Sequence, residues 1–331
     1  MKIGKYFGML CMSLIFLYSC KGPQHEKKPK IAIDTTFYPS FSADTAFSFV
    51  VKQVGFGPRV SNSDANRRCG DWLIQKLGSY SSDIIVQAFK ARAYNGEVIN
   101  GRNIIASFRP EASSRILLAS HWDSRPFADH DPNPANRHKP IDGANDGASG
   151  VGVLLELARI MHSYPPNIGV DIILFDAEDY GPPEDMQSQQ GEDWWGLGSQ
   201  YWSRNKHIPS YNARYGVLLD MVGVPQPSFL MEGFSMYYAP DVVKKIWDIA
   251  ASLGYGKYFP KQKGGFITDD HYYVNKYAGI PMIDIIHLEN DSQGSSFFEH
   301  WHTLQDNLEH VDSQSLQMVG DVLIRLIYKP Q

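Results

Sequence analysis

His121, Asp146, Asp179, Asp220 and His302 are the residues of this chain best suited to metal chemistry. All offer nitrogen or oxygen donors, the hard-to-borderline set that holds zinc in a catalytic site with an open coordination position. Glu178 and Asp179 are the most telling pair. They follow the apolar run Ile172–Phe175 within the stretch Asp171–Tyr180, and a run that short and that apolar reads as a buried central strand. Adjacent acids after a strand also fit an ordinary polar turn. What counts against that reading is recurrence, since His121 closes the apolar run Ile116–Ser120 and Asp220 closes Tyr215–Leu219. Asp146 stands just before a helix start, where capping alone would account for it. Asp123, two residues after His121, is placed to orient that imidazole.

Other catalytic plans lack their residues. The chain has no His-Glu-x-x-His, no Gly-x-Ser-x-Gly elbow, no Gly-x-x-x-x-Gly-Lys-Ser/Thr loop and no cysteine pair for a redox or zinc-ribbon role. His130, His138, His162 and His310 read as surface histidines.

The elements that must position the site alternate strand with helix. Ala43–Val54 and Asp64–Leu77 have helical spacing around a Gly/Pro turn at Gly55–Arg59. Ile84–Ala91 and Asn103–Phe108 form a strand pair joined across Asn95-Gly96. Further strands are expected at Ile116–Ser120, Ile172–Phe175, Tyr215–Leu219 and Pro281–Ile286, with Ser228–Glu232 as another. Helices are expected at Val151–His162, Ser199–Asn205, Asp241–Leu253 and Ser313–Tyr328, and a short one opens at Thr268-Asp269-Asp270-His271. This order predicts a single α/β domain with a mostly parallel central sheet and helices on both faces. Sites in such sheets form at the carboxyl ends of strands, where His121, Glu178, Asp179 and Asp220 fall.

Within the 331 residues, 43% hydrophobic, only the N-terminus departs from this pattern. Lys2 and Lys5 precede an apolar segment from Tyr6 to Tyr18, too short for a comfortable membrane span and typical of a secretory leader. Its end, Leu17-Tyr18-Ser19-Cys20, resembles the lipobox of bacterial lipoproteins, which implies cleavage before Cys20 and lipidation of that residue. The expected organisation is a signal peptide over residues 1–19, a Lys/Pro-rich tether over 20–40 anchored by lipid to a bacterial membrane and facing the periplasm, and a catalytic domain over 41–331. Cys11 lies in the leader, so Cys69 is left alone, and its spacing with Trp72, Leu73 and Leu77 predicts core packing. Losing the leader, which carries Lys2 and Lys5 and no acid, takes the formal charge from −5 to −7. That balance argues against nucleic acid as a partner.

The order His121-x-Asp123, Asp146, Glu178-Asp179, Asp220 and His302 resembles the bacterial zinc aminopeptidase family over about Phe47 to Ile327. Within it the chain is more similar to the animal-type glutaminyl cyclases, through Leu219-Asp220-Met221-Val222-Gly223-Val224-Pro225-Gln226-Pro227, Thr268-Asp269-Asp270-His271 and Trp301-His302-Thr303. The resemblance implies one zinc on Asp146, Asp179 and His302, with Glu178 as general base and acid and with Asp220 and Asp269 as hydrogen-bonding carboxylates. It also implies that His121 and Asp220 match the second-zinc position of aminopeptidases, left metal-free in cyclases. Asp179 departs from the pattern, standing where the family has Glu, one methylene longer.

The implied reaction is conversion of an N-terminal glutamine of a peptide or protein to pyroglutamate with release of ammonia. Zinc would polarise the side-chain carbonyl and Glu178 would shuttle the proton. Trp301, with Trp194 or Trp195, would wall a slot for one unbranched amide side chain. The alternative is a di-zinc aminopeptidase, for which every ligand position is present, although Trp301 and the Asp269-Asp270-His271 loop argue against it. A non-catalytic binding ectodomain on the same fold is a third reading, opposed by the complete ligand set.

Overall fold

The computed structural model describes residues 37–186, 193–291 and 294–329. The leader apart from Met1 and Gly4, Cys20 with its expected lipid, and the tether up to residue 36 lie outside the described residues. Among those that are described, no helix is long and apolar enough to cross a membrane.

The chain opens with helices α1 (Ala43–Val54) and α2 (Asp64–Gly78), capped by Ser42 and Ser63, whose hydroxyls accept from Thr45 N–H and Asn66 N–H. Strands β1 (Asp83–Arg92) and β2 (Val98–Phe108) pair antiparallel from Arg92↔Val98 outward, the hairpin predicted at Asn95-Gly96. Next come β3 (Arg115–His121), α3 (Ala148–Ser163), β4 (Gly169–Phe175), α4 (Leu197–Arg204) and β5 (Gly216–Asp220). The chain continues through α5 (Gly233–Tyr238), α6 (Pro240–Ser252), α7 (Asp270–Tyr273), β6 (Met282–Ile286) and α8 (Ser313–Tyr328).

The six strands lie in the order β1-β2-β4-β3-β5-β6. The β3/β4, β3/β5 and β5/β6 pairs are parallel, whereas β1/β2 and β2/β4 are antiparallel. The sheet is therefore mixed, with a parallel half that matches the expected architecture and an antiparallel edge carrying the hairpin. Ser228–Glu232 does not become a strand. Phe229 and Met231 make only isolated bridges to His287 and Lys263, because Glu232 turns out of line to accept from Phe234 N–H and Ser235 N–H and cap α5.

Alternation of side chains sorts the core by face. Ile172 and Leu174 of β4 join Ile116, Leu118, Val217 and Leu219 under α1, α3 and α8, while Ile173 and Phe175 join Leu117, Ala119, Leu218 and Trp202 of α4 on the other side. Every residue of β4 is buried. A strand covered on both faces is apolar along its centre, which is why Ile172–Phe175 shows no polar alternation, and the buried acid of β4, Asp171, is paired with Arg115 at 2.6 Å. Cys69 is fully buried in the first of these layers, where burial pushes its thiol up to about 12.

The register sets β3 and β4 level at His121↔Phe175, and β5 and β6 level at Asp220↔Ile286. Four strand ends thus reach the same edge of the sheet. The segments that follow them build the site.

Candidate active site

Asp146 is the hinge of the site, because its two oxygens serve two different histidines. Its Oδ1 lies 3.0 Å from His121 Nε2, and its Oδ2 lies 3.6 Å from His302 Nε2. Asp220 Oδ1 completes the first group at 3.1 Å from His121 Nε2, and Asp179 Oδ1 completes the second at 3.2 Å from His302 Nε2. In each group the donor atoms lie within 4.8 Å of one another. All five side chains are buried. Asp146 caps no helix, since Gly147 intervenes before α3 and no side-chain cap bond is made. Capping therefore does not account for it.

The second group fits a zinc ion on its own chemistry. It offers one imidazole and two carboxylates, and Asp179 Oδ2 is buried without a hydrogen-bond partner. The shorter side chain at position 179 does not take the carboxylate out of reach. Asp179 also carries an uncomfortable charge, with burial first and Asp146 second raising its carboxyl to about 6. A cation is what such a group lacks.

Three further residues hold these ligands in place, and two of them escaped sequence reasoning. Asp123, expected to orient His121, approaches its Nδ1 at 3.5 Å, and the same carboxylate accepts from the backbone N–H groups of Glu178 and Asp179, each at 3.1 Å. Asp129 faces His302 Nδ1 at 3.3 Å, on the side of the ring away from Asp179. It stands where a carboxylate fixes the tautomer of a ligating histidine. Arg125, fully buried, donates to Asp129 Oδ2 at 2.6 Å and to the carbonyls of Asp179 and Gly181 at 3.0 Å. Burial opposes ionisation of Asp129, but His302 and Arg125 hold it well below the usual carboxylate range. Arg125 just precedes the loop Phe127–Gly143 and Asp129 lies within it, where the lack of periodicity left no signal beyond the residue types.

The backbone is bent to present these groups. Ala177 (φ 58°), Met221 (φ 48°) and His302 (φ 53°) are non-glycine residues in the left-handed region, each at or beside a functional side chain. Each costs about 1–2 kcal/mol, which the surrounding contacts must offset. Asp306 helps by accepting from Asn145 N–H at 2.8 Å and Asp146 N–H at 3.0 Å.

The groups open into a cleft of about 290 Å³ lined by Asp146, Glu178, Asp179, Asp220, Asp269 and His302 among others. Glu178 is nearly buried, and burial followed by the Asp269 charge raises its carboxyl well above the ordinary range. Burial also raises Asp220 to about 7. Asp269 caps α7 through Asp270 N–H. Trp301 and Trp195 both line the cleft, near-parallel to the His302 ring at centroid distances of 3.8 and 6.3 Å. Trp195 sits flush on Gly181, where a Cβ would fall 2.3 Å from the indole. Trp194 is elsewhere, in a separate pocket with Tyr94, Asn95, Pro182 and Met186. Of the two tryptophans proposed for the slot, then, only Trp195 reaches it. His130, read as a surface histidine, is exposed but packs on Trp301 at 4.3 Å with Nε2 3.2 Å from Glu184 Oε2.

Comparison with known proteins places this geometry. The profile of peptidase family M28 matches residues 103–327, a span that holds all of these cleft residues. The chain belongs to peptidase family M28. Among solved structures it is similar to the Bacteroides thetaiotaomicron glutaminyl cyclase bound to N-acetylhistamine, with 48% identity, a TM-score of 0.86, and coverage of 89% of this chain and 100% of that one. It is as similar to a Zn-dependent exopeptidase from Parabacteroides distasonis, with 47% identity, a TM-score of 0.86 and the same coverage. The glutaminyl-peptide cyclotransferase of Bos taurus is 26% identical over 256 residues, 67% of this chain and 64% of the relative, so the match spans less than two thirds of that relative's length.

Proposed function

We propose that this M28 chain is a single-zinc glutaminyl cyclase that converts N-terminal glutamine of peptides and proteins to pyroglutamate and ammonia. The observation that carries the reading is Glu178, a nearly buried carboxylate of raised proton affinity beside Asp179 in a cleft walled by Trp195 and Trp301. The similarity to glutaminyl cyclases across almost the whole described domain supports it.

Asp146, Asp179 and His302 would hold the zinc, with Asp129 and Arg125 keeping His302 and the Asp179 loop in place. Zinc bound there would supply a Lewis acid for the side-chain amide carbonyl. In the reaction the substrate's own α-amine attacks its side-chain amide carbon, closing the ring as the carbon–nitrogen bond to the departing ammonia breaks. Glu178 takes a proton from the amine and returns it to the leaving nitrogen. A carboxylate with a low proton affinity would make a poor donor in the second step, and the burial of Glu178 corrects that. Asp220 and Asp269 border the same space and would accept from the substrate amine. The substrate brings its own nucleophile, so an activated water is unnecessary.

A di-zinc aminopeptidase is the second reading, and the His121, Asp146 and Asp220 group favours it. Zinc-loaded protein lacking residues 1–20, given one peptide beginning with Gln and one beginning with Leu, separates the two by mass spectrometry. Ammonia loss from the first with the second intact is expected, and trimming of the Leu peptide would refute the cyclase.

Export and lipid anchoring at Cys20 remain part of the proposal on the strength of the N-terminal sequence alone. Labelling with a palmitate analogue in a bacterial host, abolished by Cys20→Ala, is the expected outcome; undiminished labelling in that variant would refute the anchor site.

A further inference from the structure

Phe266 lines the cleft, yet 67% of its surface remains exposed. An aromatic ring left in water at the rim of a cleft is what a binding surface retains. The ring is also held in place. Gly233 lies directly beneath it, where a Cβ would fall 2.6 Å from Phe266 Cγ, and Gly233 N–H donates to Gly265 O at 2.7 Å. Phe234 meets the ring edge-on at 5.0 Å and 75°, and packs in turn against Tyr272 of α7 at 4.5 Å. Tyr237, 73% exposed and at right angles to Tyr238, continues the apolar surface along α5. The cleft interior is crowded with carboxylates, whereas this rim is built of rings, so the two stretches suit different parts of one ligand.

We infer that Phe266, backed by Phe234 and Tyr272, is the subsite for the residue that follows the N-terminal residue of a bound peptide, and that it selects an aromatic side chain there. The inference rests on the reading of the cleft as a site for peptide N-termini. Continuity supports it, because Phe266 belongs both to the cleft wall and to the aromatic shelf. Phe266 lines the same cleft as Trp195 and Trp301, so a side chain two backbone atoms beyond the first residue would emerge along a wall that this ring shares. A ring placed against Phe266 would bury the exposed face without disturbing its support.

The test is binding to zinc-loaded Glu178→Gln protein, followed by calorimetry, of the peptide amides Gln-Phe-Ala and Gln-Gly-Ala. The phenylalanine peptide should bind about fivefold more tightly, the size expected of one added aromatic pair. Adding Phe266→Ala should bring the ratio to about one, and Gly233→Ala, which keeps the ring but removes its seat, should shrink it. Equal affinities for the two peptides, or a ratio unchanged without Phe266, would overturn the inference. The same peptides are given to active protein. Selective binding without ammonia release would refute the cyclase and leave the subsite standing, whereas ammonia release with equal affinities would refute the subsite alone.

Discussion

The two buried ligand groups of this site share Asp146 but differ in what stands behind them. His302 has its far nitrogen turned to Asp129, which is itself anchored by Arg125, and its ring is flanked by Trp301 and Trp195 in the open cleft. His121 has its near nitrogen shared between Asp146 and Asp220, and its far nitrogen approaches an Asp123 already occupied by two backbone N–H groups. The first arrangement leaves a carboxylate oxygen, Asp179 Oδ2, unpartnered and in want of a cation, while in the second the carboxylate of Asp220 is hydrogen-bonded to His121 Nε2 and the unpartnered atom is the ring nitrogen His121 Nδ1. On the proposed single-zinc reading, similar residue types at similar distances take different roles, one as a metal seat and the other as a hydrogen-bonded brace for Asp220. Coordination is decided by the outer partners as much as by the ligand atoms.

That contrast can be broken by substitution. His302→Ala should remove bound zinc and essentially all turnover, read by metal analysis of dialysed protein together with ammonia release. Glu178→Gln should keep its zinc and lose about 100-fold or more in turnover, because it removes the proton carrier and no ligand. Asp129→Asn should weaken zinc binding by roughly 10- to 100-fold, measured by chelator competition, and more than His121→Ala does. If His121→Ala costs the protein as much zinc as Asp129→Asn, the two groups are not distinct. The smallest effect is expected from Asp123→Asn, which should lower stability by about 1–3 kcal/mol in denaturant melts, since one of its two backbone donors loses an acceptor.

Elements made by local patterning were legible in the chain, whereas those that depend on long-range partners were not. The buried strand before Glu178, the Asn95-Gly96 hairpin and the closing helix Ser313–Tyr328 all follow from period and turn chemistry, and the structure has them. The antiparallel docking of β2 on β4 carries no local signature, because either direction buries the same residues. Ser228–Glu232 looked like a strand through Phe229 and Met231, but capping and the Glu232–His271 contact at 2.9 Å took Glu232 away from any ladder. The residues of the cleft were visible as acids and histidines after apolar runs. Asp129 and Arg125 were not, because Asp129 acts through a contact with the sequence-distant His302, and Arg125 through Asp129 and the carbonyls of Asp179 and Gly181. The left-handed backbone at Ala177, Met221 and His302 was equally hidden, since none of those residue types announces it.

Anomalous diffraction at the zinc edge from crystals of zinc-loaded protein tests the difference between the groups most directly. A single peak among Asp146, Asp179 and His302, with His121 and Asp220 in contact with each other and with no metal, is the predicted result. A second peak of comparable height between His121 and Asp220 would contradict it.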